Sequence, residues 1–153
     1  MIEIQIITVG KKHDPEFAGK IEAYEKRLRG QLKLSWQIIP SSDKPAESVK
    51  ILEKINKDDY AILLDERGVL VSNAQLVQAF ELLSQQAKRL VIIIGGSYGV
   101  DQPVFNRANQ IVALSGLVLP HQVVRLIVIE QIYRTVSIMN NQNYHQSWQI
   151  EFQ

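Results

Sequence analysis

Leu90-Val91-Ile92-Ile93-Ile94-Gly95-Gly96-Ser97-Tyr98-Gly99 is the stretch on which the fold class turns. Five apolar residues in a row, four of them β-branched, are too few for a core helix and suit a strand. A strand with no polar alternation is covered on both faces, as in a parallel sheet held between helix layers. The glycines that follow are read in two ways. They expose backbone N–H donors to a ligand at close range, or they make a sharp structural turn. Their G-G-x-x-G spacing matches neither the dinucleotide fingerprint nor a Walker A loop.

Working outward, Ala61-Ile62-Leu63-Leu64 is a second run of the same kind. Strands are expected at Ile2–Val9, Leu34–Ile39, Tyr60–Leu64, Leu90–Ile94 and Gln110–Leu114. Helical patterns lie between them. Phe17, Ile21, Tyr24 and Leu28 place a helix over Asp14 to Arg29, and Val49, Leu52 and Ile55 another over Pro45 to Ile55. Ser72 and Gln75 form an S-x-x-Q capping box ahead of Leu76, Phe80 and Leu83. This alternation predicts an α/β layer fold around a largely parallel sheet, and 153 residues suffice for one such domain.

The last helix is unusual. Leu117-Val118-Leu119-Pro120-His121-Gln122-Val123-Val124-Arg125-Leu126-Ile127-Val128-Ile129-Glu130-Gln131-Ile132-Tyr133-Arg134 offers water almost no face. Pro120 suits the first helical position, and Glu130 and Arg134 share one narrow stripe as an i,i+4 pair. A helix apolar nearly all round needs cover on two sides. Arg125, Glu130 and Gln131 interrupt it too soon for a bilayer span. Burial between the chain's own sheet and a second copy is the expectation.

Composition narrows the function classes. The chain is 46% hydrophobic and 22% charged, as in an ordinary globular protein. Having no cysteine, it forms no disulfide, offers no thiolate to a metal and has no cysteine nucleophile. MIEIQIITVG lacks a basic leader and alternates like a strand, so neither a signal peptide nor a membrane segment is expected, and a cytoplasmic location follows. A formal charge of +1 does not argue for a polyanion partner. The basic cluster from Lys11 to Lys33 is interleaved with acids, as on a solvated helix face.

Ligands of open α/β sheets bind beyond the carboxyl ends of the strands, so three segments matter besides their strands. Leu64-Asp65-Glu66-Arg67-Gly68 is read as a tight charged turn, its carboxylates facing a ribose hydroxyl, a metal or only solvent. Gly95 to Gly99 is the second. The third, Leu114-Ser115-Gly116-Leu117-Val118-Leu119, is either a wall for the flat faces of an adenine or plain core. Arg125 is the oddest single residue, a cation in the first turns of a helix where the macrodipole disfavours it. It calls for an anionic substrate or an ion pair across a subunit interface. His13, His121 and His145 show neither zinc-ligand nor triad spacing, so no metal is expected. Beyond Met139 the chain turns polar and amide-rich, with Trp148 and Phe152 as anchors or base-stacking rings.

IIIGGSYG, LPHQVVRLIVIEQIYR and NYH, taken with TVGK, AYEKRL and LLDERG, resemble the RlmH (YbeA) family of SPOUT methyltransferases. The resemblance runs from residue 1 to about 146 and leaves 147–153 as a C-terminal extension. It implies an α/β fold, a SPOUT-type parallel sheet flanked by helices with a C-terminal trefoil knot, and a homodimer. It further implies S-adenosyl-L-methionine as cofactor and N3 of a pseudouridine in 23S rRNA of the assembled ribosome as target. By resemblance, Leu64, Gly95 and the loop Leu114, Ser115, Gly116, Leu117, Val118 and Leu119 line the cofactor pocket. His145 is the candidate for proton removal or base contact, Tyr144 for shaping the pocket and Arg125 for stabilising charge.

The chain departs from the family pattern at three places. It continues past Tyr144-His145 as QSWQIEF, with Gln146 where a basic residue is common; the segment from Pro40 to Tyr60 is short; and Val69 stands where lysine is frequent. If a basic terminal residue normally contacts RNA, Gln146 cannot do so. The alternative to an rRNA methyltransferase is a non-catalytic nucleotide- or ribosome-binding α/β protein.

Overall fold

A computed structural model describes residues 1–140. Five strands form one parallel sheet: β1 (Glu3–Val9), β2 (Lys33–Ile39), β3 (Tyr60–Leu70), β4 (Leu90–Ile94) and β5 (Gln110–Ala113), in the order β2-β1-β4-β3-β5. Five helices connect or cover them: α1 (Pro15–Leu28), α2 (Lys44–Glu53), α3 (Asn73–Gln85), α4 (Gln102–Arg107) and α5 (His121–Met139).

The unbroken apolar run of β4 is buried on both sides, as its composition requires. Successive side chains of a strand point to opposite faces. Leu90, Ile92 and Ile94 join one core with Ile4 and Ile6 of β1, Ile21 of α1, Phe80 of α3 and Ile129 of α5. Val91 and Ile93 join the other with Ile7, Leu63, Ile51 of α2 and Val104 of α4. Helices α1, α3 and α5 therefore cover one face, and α2 and α4 the other. The chain enters β4 from the α3 face and leaves it across the α4 face. The loops after β3 and β4 diverge, and a crevice opens between their carboxyl ends.

The capping box forms as expected, with Ser72 Oγ accepting from the Gln75 N–H and Gln75 Oε1 from the Ser72 N–H. Glu130 and Arg134 pair at 2.9 Å. Pro120 is not the first helical residue but the N-cap of α5, one position earlier than its sequence suggested, and offers no side-chain cap. The short α4 was not anticipated, because six residues are too few to display a helical period.

Leu64 to Gly68 is not a free turn. β3 runs on to Leu70 and pairs with β5 both before and after a register shift between Leu64 and Val69. This bulge exposes Glu66 and Arg67, leaves Asp65 largely covered and keeps the strand in the sheet. Gly68 makes the close approach possible: a Cβ there would lie 2.6 Å from the Ile111 carbonyl carbon and oxygen and 2.7 Å from the Val112 nitrogen. Those are backbone atoms of β5 and cannot swing aside. Gly68→Ala should destabilise the fold by about 1–3 kcal/mol, the usual cost of overpacking. Urea unfolding checks this, and an unchanged midpoint would contradict the close packing.

Candidate active site

The ends of β3, β4 and β5 meet at one cleft of about 800 Å³. Gly95 to Gly99 form one wall, where the Gly99 N–H donates to the Gly96 carbonyl (3.0 Å) and leaves Tyr98 86% exposed at the rim. Leu114, Ser115 and residues 117–120 form the facing wall. Ser115 Oγ accepts from the Leu117 N–H (2.8 Å), a local bond that shapes the loop and turns Leu117 and Val118 outward. Leu64 and Ile94 close the cleft from the sheet, Val124 from α5, and Lys44 enters from α2.

Seven of the eight residues expected around a cofactor stand on this cleft: Leu64, Gly95, Leu114, Ser115, Leu117, Val118 and Leu119. Gly116 belongs to the same loop but is exposed and off the wall. Asp65 and Glu66 also reach the cleft. Both nitrogens of a fork from Arg67 hold Asp65, at 2.8 and 3.0 Å. These bonds keep the Asp65 carboxyl below its ordinary range despite partial burial, so it remains an acceptor. Arg67 is fixed in turn over the Phe105 ring at 4.6 Å. Sequence reasoning passed over Lys44, which arrives from a distant helix, and set His121 aside as a lone histidine. Its position directly after Pro120 at a helix start was the available signal.

Arg125 does not line the cleft. It is fully buried beside it, under the loop from Gly10 to Asp14. Nε donates to Thr8 Oγ1 at 3.2 Å and Nη1 lies 3.3 Å from His13 Nδ1. A guanidinium can only donate, so His13 Nδ1 must be the unprotonated, accepting nitrogen. Nη2 has no partner. Among the described residues no carboxylate forms an ion pair with Arg125. Burial pulls its pKa below the usual arginine value, with Asp14 opposing. Gln122 clasps the same loop, accepting from the Asp14 N–H (3.0 Å) and donating to the Lys12 carbonyl (3.3 Å). Tyr144 and His145 lie outside the described residues. Among the described residues no cluster of three metal-ligating side chains occurs, and no helix is long and apolar enough to cross a membrane.

The family model for predicted SPOUT methyltransferases matches residues 2–145. The chain belongs to this family. A ribosomal RNA large subunit methyltransferase H from Parabacteroides distasonis is 34% identical over 155 residues, covering 94% of this chain and 99% of that protein. One of the same name from Desulforamulus reducens is 34% identical over 159 residues, covering 95% and 99%. A putative RNA methyltransferase from Arabidopsis thaliana is 30% identical over 154 residues, covering 94% of this chain and 80% of that protein.

His13 makes the arginine loop sensitive to acid. Burial and, second, the charge of Arg125 lower its pKa from the ordinary 6.5. The unfolded chain then binds more protons than the folded one as pH falls through that value, so stability drops. Urea midpoints at pH about 7.5 and about 5.5 should show this loss, and His13→Gln should reduce it. Equal pH dependence in both proteins would remove His13 as the cause.

Proposed function

We propose that this chain is an S-adenosyl-L-methionine-dependent rRNA methyltransferase, methylating N3 of a pseudouridine in 23S rRNA of the assembled ribosome. It would act in the cytoplasm as a homodimer, with the trefoil knot that the family resemblance implies. The observation carrying this reading is the convergence of three strand ends on one cleft, at the crevice where the connections of β3 and β4 diverge. Its volume suits a nucleoside-sized ligand, since such sites run to roughly 300–1,000 Å³. The names of the relatives supply the substrate class.

The fit to the cofactor is specific in type. The apolar loop from Leu114 to Leu119 offers flat contact and backbone groups for an adenine edge, and Asp65 and Glu66 offer acceptors for ribose hydroxyls. When bound, the cofactor supplies an electrophilic methyl on a sulfonium. The protein holds the attacking nitrogen in line and near contact, and this positioning supplies much of the acceleration. The N3 proton must also leave, which suits a base or a cation that stabilises the resulting anion. His145 is the candidate for the proton and Tyr144 for the wall beside the base; Arg125, buried beside the cleft and not on its wall, would act on the charge only at a distance.

Chain length bears on which cleft His145 serves. α5 has 19 residues, which is about 28 Å at 1.5 Å per residue. It starts at the cleft with His121 and ends at Met139, and the Nδ2 of its C-cap Asn140 donates to Gln31 Oε1 (2.9 Å) just ahead of β2, at the opposite end of the sheet. α5 thus carries the chain away from its own cleft, and this supports a site completed by a second copy.

Calorimetry with S-adenosylmethionine and S-adenosylhomocysteine tests the cofactor, and tritium transfer to unmodified ribosomes tests the reaction. Saturable heat and incorporation are expected; silence in both refutes the enzyme. Shared sites have their own assay. Gly95→Trp and His145→Ala copies, each inactive alone, should recover roughly a quarter of wild-type transfer when unfolded and refolded together, because random pairing gives half mixed dimers with one intact site each. No recovery would assign cleft and tail to the same chain.

A further inference from the structure

β2 ends the sheet and, among the described residues, pairs with β1 alone. Its odd-numbered residues make the bonds to that neighbour: the Lys33 N–H donates to the Ile2 carbonyl (2.9 Å) and the Ile39 carbonyl accepts from the Gly10 N–H (2.8 Å). In a parallel ladder alternate residues turn their backbone groups to opposite edges, so those of Leu34, Trp36 and Ile38 point away from β1. No described residue hydrogen-bonds to them. Lys33, Ser35 and Ile38 are exposed along this edge. A seven-residue edge without proline or bulge is a ready template for a further strand.

The chain carries a segment that fits this edge. Ser35-Trp36-Gln37-Ile38 of β2 recurs as Ser147-Trp148-Gln149-Ile150, in the extension beyond the described residues. Trp148, Ile150 and Phe152 alternate with Gln149 and Glu151, the period of a strand with one apolar face. Identical segments pair well in parallel and in register, because like rings stack and like amides form ladders. We propose that residues 147–152 dock on the chain's own β2 as a sixth, parallel strand, with Ser147 beside Ser35 and Ile150 beside Ile38. This register sets the Trp36 N–H against the Ser147 carbonyl and the Gln149 N–H against the Trp36 carbonyl. Position and reach agree with it. α5 delivers the chain to the start of β2, where Asn140 bonds to Gln31. Ser35 lies four residues beyond Gln31, roughly 13 Å of extended strand. The seven steps from Asn140 to Ser147 cover up to about 25 Å, which leaves slack for a turn onto the edge. Leu34 and Trp36 already pack against the core on the α1 and α5 side. In the proposed pairing Trp148 and Ile150 continue that apolar face and cover Ile38, which is 38% exposed. The segment has one charge, Glu151, and neither proline nor glycine, so without a partner it would seek the edge of another molecule. A short tether favours the chain's own edge, holding the segment there at roughly millimolar effective concentration. The pairing also ties down both ends of residues 141–146, which include Tyr144 and His145, whatever those two residues catalyse.

Amide hydrogen exchange on the full chain, read residue by residue by NMR, tests the strand. The Trp36 and Ile38 amides should be protected. Gln149→Pro removes a ladder donor and should speed their exchange by about tenfold or more, the loss of roughly one hydrogen bond each. Ser35 and Gln37, which bond to β1, should keep their rates. Equal exchange of Trp36 and Ile38 in the two proteins would overturn the docking. Ser35→Cys combined with Ser147→Cys tests register and occupant, because the chain has no other cysteine and neighbours across a parallel pair are close enough for a disulfide. Mild oxidation should close the bond within single chains, seen as a faster band on a non-reducing gel. A bond between two chains would overturn the assignment to the chain's own edge, and thiols that stay free would overturn the register.

Discussion

Burial of β4 on both faces is the constraint from which the rest of the architecture follows. A strand of five consecutive apolar residues is stable only with helices above and below it. Each face must be supplied by a different connection, so the chain arrives from one layer and departs through the other. That reversal separates the loops after β3 and β4 and opens the cleft. The same strand ends in the glycines that wall it. A packing requirement in the middle of the sheet and a binding surface at its edge thus have one origin. Removing apolar volume from β4 would loosen the cleft walls along with the core.

Arg125 contrasts with this economy. Its pairing with Thr8 and His13 satisfies two nitrogens and neutralises nothing. Taking an unpaired cation out of water carries a penalty of roughly several kcal/mol even after relaxation. An apolar residue of similar volume would pack between α5 and β1 without that penalty. The histidine that accepts from it ties the state of this loop to pH, since a protonated Nδ1 has nothing to offer a guanidinium.

Much of this was legible from residues alone, and the failures have physical causes. Strand and helix patterns at Leu90–Ile94, Ser72–Gln75 and Phe17–Leu28 carry their own local signals, and the structure agrees with them. The strand-end rule points to the segments holding Leu64, Gly95 and the 114–119 loop, and these segments line the cleft. The bulge at Leu64–Val69 was misread as a turn because Asp, Arg and Gly populate both, and only the partner strand tells them apart. Lys44 and His121 reach the cleft through tertiary placement, to which periodicity is blind. Arg125 was recognised as anomalous, but sequence could not say that it would sit behind the cleft, with one nitrogen unsatisfied.

α5 links these parts mechanically. In its first two turns it offers His121 and Val124 to the cleft, Gln122 to the Gly10–Asp14 loop and Arg125 to the interior. Its remaining turns pack on α1, α3 and the sheet, with Leu126, Ile127 and Tyr133 only partly covered. A rigid helix bearing on both cleft and loop gives the two no independent motion at its N-terminal end. Any ligand that shifts the first turn of α5 on entering the cleft must alter the Gln122 clasp on the Gly10–Asp14 loop. Such coupling is reciprocal in free energy: if filling the cleft favours one setting of the loop, whatever holds the loop in that setting tightens the cleft by the same factor. Cleft and loop would then report on each other through a single helix turn.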